Sequence, residues 1–203
     1  MKGLIIKDLV NLKAQARVML VLVVFYVFIA ITSENTAILG GIIAVLAAML
    51  PITAMAYDEK AKWDKYALSM PLTRTDLVLS KYILGLGFSM VAFLVNIAFN
   101  LVLGFVATNE ILILCSALLG ASILFISLVL PVMFKYGVEK GRIVMMILIF
   151  SPTAAVMLIQ KANIAPPSQA FIDKIPYVAP VVILALLGIS MMMSLKIYKV
   201  KEL

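Results

Sequence analysis

The sequence predicts an all-α polytopic membrane protein with six transmembrane helices in a single transmembrane domain, residues 1–203. Two features carry the prediction. Of 203 residues, 65% are hydrophobic, where a soluble domain is nearer half. The apolar residues also gather into runs near the ~20 residues that a helix needs to cross a bilayer core. The runs are about 18–32, 37–56, 82–106, 111–134, 142–160 and 178–195. Mean hydropathy is +1.16.

The first 17 residues form a separate unit. At 100° per residue Ile5, Leu9, Leu12 and Ala16 share a stripe, with Asp8, Asn11 and Gln15 on one side and Lys13 and Arg17 on the other. This pattern suits an amphipathic connecting helix in the membrane interface, followed by a turn into the first span. Leu4, Ile6 and Val10 interrupt the stripe, and a plain extension of the first span is the other reading. The first run lies too far along, and "ITSENTA" is too poor a cleavage site, for a signal peptide. Gly40, Gly41 and Pro51 punctuate the second span, and Pro131, Pro152 and Pro180 three others; neighbouring helices can satisfy the backbone at such sites.

Between the second and third spans lies "DEKAKWDKYALSMPLTRTD". Asp58 is placed to cap a helix, with Glu59 in its first turn. Trp63, Tyr66, Ala67 and Met70 recur at helical spacing on one face of a helix over 58–70, and Pro71 ends it. Thr73-Arg74-Thr75-Asp76 then fits a capping box that opens the next helix. The short helix is either a lipid-touching connector with aromatic anchors or a docking element, since Trp, Tyr and Arg favour binding hot spots. The connection 161–177 is the longest on the opposite side, and Pro166-Pro167 forbid a continuous helix through it.

Charge placement orients the spans. Lys2, Lys7, Lys13 and Arg17 precede the first; Lys60, Lys62, Lys65, Arg74 and Lys81 follow the second; Lys135, Lys140 and Arg142 follow the fourth; Lys196, Lys199 and Lys201 follow the sixth. With both termini cytoplasmic, these 15 of the 17 basic residues lie inside. The net charge of +7 therefore points to membrane lipids and not to nucleic acid.

Chemistry is sparse. Histidine is absent, and the single cysteine, Cys115, lies in an apolar run, so no internal disulfide, metal cluster or Ser-His arrangement is expected. No G-x-x-x-x-G-K-[ST] sequence occurs, so uphill transport by ATP needs a nucleotide site on another polypeptide. The ten carboxylates fall in loops or at span ends, which weakens the alternative of an ion-coupled carrier or channel-like protein. Asn96 and Asn100, one turn apart on the third span, and Ser89 either bond between helices or form a polar stripe along a passage. The many methionines suit greasy ligands or lipid-facing filler.

"MKGLIIKDL" and "YDEKAKWDKYALSMPLTRTDLVLSKY" resemble the permease subunits of type-2 ABC exporters, most of all the bacterial subgroup that exports phenol-soluble modulins. The resemblance implies a coupling helix at Asp58–Met70, with Asp58, Glu59, Trp63, Asp64, Tyr66, Met70, Pro71 and Arg74 contacting or bracing a partner. It also implies a short external helix before the sixth span. As partners it implies cytoplasmic P-loop ATPase subunits, which bind the ATP and Mg, and a second permease, the same or different. The cargo implied is an amphipathic peptide, and the location the cell membrane.

Overall fold

The computed structural model describes residues 2–33, 35–104, 108–162 and 175–201, and these are almost wholly α-helical. The helices are α1 (Lys2–Ser33), α2 (Thr36–Lys60), α3 (Trp63–Leu68), α4 (Arg74–Leu103), α5 (Thr108–Tyr136), α6 (Val138–Lys161) and α7 (Ile175–Val200). The short external helix expected before the sixth span lies outside the described residues.

α1 is one unbroken helix of 32 residues. The turn expected between an interfacial helix at 1–17 and the first span is absent. The stripe that the protein buries is Leu4, Asp8 and Leu12, one turn apart each, rather than Ile5, Leu9, Leu12 and Ala16. Leu9 is exposed. The reason lies in α2: α1 packs along it from end to end, so the amino-terminal turns have a helical neighbour and not a flat interface.

α2, α4 and α5 form the centre, with α1 against α2, α6 against α5 and α2, and α7 against α5 and α4. Five helical stretches among the described residues are long and apolar enough to cross a membrane: Gln15–Ser33, Thr36–Lys60, Arg74–Leu103, Glu110–Tyr136 and Pro176–Val200. The other expected span, 142–160, falls in α6, whose 24 residues reach about 36 Å at 1.5 Å per residue. In the apolar window of α2, 56% of residues are buried, but only 6% in that of α1 and 11% in that of α7. Phe28, Leu184 and Met192 lie bare on the outside. Apolar surface of that extent suits hydrocarbon as its solvent.

Local chemistry sets the joints. The Asn35 side chain accepts from the Ala37 N–H at 2.9 Å and starts α2. Thr73 caps α4 with the expected capping box: its hydroxyl oxygen accepts from the Asp76 N–H, and its own N–H donates to the Asp76 carboxylate. Gly137, at φ 83°, turns α5 into α6 in a left-handed conformation that glycine adopts without strain. α2, α5 and α7 run through Pro51, Pro131 and Pro180 without ending.

The short helix departs from expectation. α2 continues to Lys60, so Asp58 and Glu59 belong to the second long helix and do not open the short one. A left-handed Lys62 (φ 49°) breaks the chain, and α3 has six residues, with Met70 and Pro71 beyond its end. The predicted single face is divided: Ala67 is buried and Trp63 half-buried, while Tyr66 and Met70 are exposed.

Candidate functional site

Beneath α3, at the end of the bundle where α1 begins and α7 finishes, four charged side chains close an alternating ring. Lys81 Nζ donates to Asp8 Oδ2 at 2.7 Å and to Asp58 Oδ2 at 2.6 Å. Lys7 Nζ donates to Asp58 Oδ1 and lies 3.1 Å from Asp8 Oδ1. Asp8, Asp58 and Lys81 are buried, and Lys7 partly so. Taking four charges from water is costly, and only close alternation of sign offsets it. The ring thereby fixes three helices to one another: α1 through Lys7 and Asp8, α2 through Asp58 and α4 through Lys81.

Trp63 joins α3 to this ring. Lys7 Nζ sits 4.5 Å from the centre of the indole, within cation–π range. The indole also packs into the cluster that includes Leu4, Ala67, Leu77, Tyr82, Phe134 and Tyr198. Underneath is a cavity of about 110 Å³ lined by residues of every described helix, among them Lys7, Asp58, Trp63, Asp64, Lys81, Phe134, Val138 and Tyr198. Trp63 Nε1 and the Tyr198 hydroxyl have no hydrogen-bond partner among the described residues.

Glu59 and Arg74 each finish another helix. Glu59 Oε2 accepts from the Val138 N–H at 2.8 Å, so this carboxylate caps α6 across the bundle. Arg74 Nη1 donates to the carbonyls of Tyr198, Lys199 and Lys201, satisfying carbonyls that the end of α7 leaves open.

Of the residues expected to contact a partner, the protein thus turns Asp58 and Trp63 inward and commits Glu59 and Arg74 to helix ends. Asp64 lines the cavity. Tyr66, Met70 and Pro71 remain exposed, beside exposed Lys62 and Lys65. Lys7, Asp8 and Lys81 were legible only as charges near span ends. The signal available was Asp8 at the centre of an i, i+4, i+8 set with Leu4 and Leu12.

Ser89, Asn96 and Asn100 are each 1% exposed. Thr36 Oγ1 donates to Asn100 Oδ1 at 2.6 Å, Asn100 Nδ2 donates to the Asn96 carbonyl at 2.8 Å, and Asn96 Nδ2 reaches the Gly40 carbonyl at 3.3 Å. A Cβ on Gly40 would stand 3.2 Å from Asn96 Oδ1 and 2.7 Å from Leu118 Cδ1, so glycine is what allows this approach. In this arrangement the two asparagines join α4 to α2. A second polar knot was not foreseen: the Tyr82 hydroxyl lies between Ser190 Oγ and Ser194 Oγ at 2.7 and 2.8 Å, and Ser190 donates to the Ser127 carbonyl. It ties α4, α5 and α7 together.

No curated protein and no solved structure matches this chain. A family model described as ABC-2 family transporter protein matches residues 3–199, from the first turn of α1 to the last of α7. With its several long apolar helices the chain is a multi-pass membrane protein, and it belongs to the ABC-2 family of transporter proteins.

Proposed function

We propose that this chain is the membrane-spanning permease subunit of an ATP-driven exporter, with α6 as the fifth of six crossings, α7 as the sixth, and both termini cytoplasmic. ATP and Mg reside on a separate cytoplasmic P-loop ATPase. The observation that carries the proposal is the two-sidedness of α3. Its outer edge (Lys65, Tyr66, then Met70) is exposed, and its underside is fixed by Trp63 to the Lys7–Asp58–Lys81–Asp8 ring. An element built that way receives a push from outside the bundle and delivers it to several helices at once.

The push has several routes. Through Trp63 it reaches Lys7 and the ring, hence α1, α2 and α4 together. Through Arg74 it reaches α7, and through Glu59 it reaches α6. Net-neutral, closely paired charges suit this use, because they move as a block more readily than they part. The working unit is a pair of permeases on a pair of ATPases, a closed assembly. An amphipathic or hydrophobic peptide is the proposed cargo, of the kind exported by the phenol-soluble modulin exporters. The support is the near absence of charge along the long helices away from the ring.

The test is co-purification with the P-loop ATPases of the same cells. Tyr66→Ala with Met70→Ala is expected to lose the associated ATPase while the chain still inserts and folds. Full retention of the ATPase by that double variant, or the lack of any associated ATPase with the unaltered chain, overturns the proposal. Peptide cargo is tested by recovery of an amphipathic helical peptide outside cells that do and do not carry the chain; equal recovery rejects it.

A further inference from the structure

We propose that the groove between α1, α2 and α4 is a binding site for one anionic phospholipid, its headgroup held by Lys13 and Arg17. The outward stripe of α1 reads Ile6, Val10, Lys13, Arg17, Leu20, Val24 and Phe28, all exposed. Five are apolar, as befits a helix with hydrocarbon beside it. Two are cations, one helical turn apart, and neither has an ion-pair partner among the described residues, where the ion pairs lie in the ring.

Their depth is fixed by three helices independently. Next to Lys13 is an apolar groove of about 470 Å³ walled by Leu9, Val10, Met19, Leu50 and Phe88. Counted from the ring at 1.5 Å per residue, Lys13 is about 9 Å along α1 from Lys7, Phe88 about 10 Å along α4 from Lys81, and Leu50 about 12 Å along α2 from Asp58. The agreement places the groove roughly 10 Å to the apolar side of the polar end, where headgroups give way to acyl chains. An unpaired cation at that depth is costly, and deeper Arg17 more so, unless an anion meets it. A headgroup phosphate supplies the anion, and the acyl chain below it fills a groove whose lining offers no polar partner except Lys13. The basic residues of the α5–α6 turn, Lys135 and Lys140, lie instead around the ring of Tyr136. The inference needs the chain to be a membrane protein but does not depend on an ATPase partner.

The test is native mass spectrometry of the full chain released from vesicles of phosphatidylglycerol mixed with phosphatidylcholine. The unaltered chain is expected to retain phosphatidylglycerol in preference. Lys13→Gln lowers that preference about fivefold and Arg17→Gln by a similar factor, the worth of one cation at a lipid surface. Ala16→Phe, which fills the groove, lowers retention of both lipids, and Lys135→Gln changes nothing. Unchanged preference in Lys13→Gln with Arg17→Gln overturns the site. A second measurement covers the rival occupant, another copy of this chain. In a Cys115→Ala background, Leu9→Cys is oxidised in the membrane: monomers are expected, and a disulfide-linked pair overturns the lipid assignment.

Discussion

Lys81 illustrates how much one side chain is asked to do. It is buried, and it holds two carboxylates from two other helices at 2.7 and 2.6 Å. Lys81→Met leaves Asp8 and Asp58 sharing one remaining cation, with a negative charge uncompensated. A loss of about 3–5 kcal/mol is expected, the usual cost of breaking a buried pair on one side. Thermal unfolding of the detergent-solubilised chain measures it, and adding Asp8→Leu to remove one charge of each sign should recover part of the loss. Trp63 is the single tryptophan, so its fluorescence reports the ring without a label. Lys7→Gln, which removes the ammonium 4.5 Å from the indole, should shift the emission. Lys13→Gln, six residues farther along α1, should not; equal spectra for both would detach Trp63 from Lys7.

Among the elements, the short helix and the turn between α5 and α6 show what sequence patterns see and miss. The capping box at Thr73 was readable because it is closed within four residues. The bounds of α3 were not, because the fate of Asp58 is settled by partners 51 and 23 residues away. A carboxylate that reads as a cap by position is drawn into the bundle by two lysines. Close packing at the α5–α6 turn makes a sharper prediction. A Cβ on Gly141 would run into Met133 Cγ, in the middle of that side chain. Gly141→Ala is expected to destabilise the chain by roughly 1–3 kcal/mol through overpacking, and Met133→Ala to relieve part of it. Additive losses in the double variant, measured by the same unfolding, would show that the two do not meet.

For the whole molecule, the polar end is where all the described helices meet, and the asparagines and the Tyr82–Ser190–Ser194 knot join fewer helices at a time. Arg74 is the seam between α4 and the end of α7. Arg74→Ala should leave an ATPase bound, since Tyr66 and Met70 are untouched, but weaken its stimulation by the permease, because α7 no longer follows α4. ATPase turnover in vesicles measures this, and unchanged stimulation would remove α7 from the route.

The sequence by itself determined the helical class, the run of apolar segments and the start of α4, because hydrophobic periodicity, length and local capping are short-range properties. It also held the resemblance that the family match upholds at the level of an ABC-2 transporter. Only the tertiary structure decided that α1 is continuous, that Trp63 and Tyr66 face opposite ways, that Arg74 and Glu59 serve other helices, and that Asp8 has company. Those outcomes depend on which charge finds which across tens of residues, and a buried charge takes its place from its partner in space and not from its neighbours in the chain.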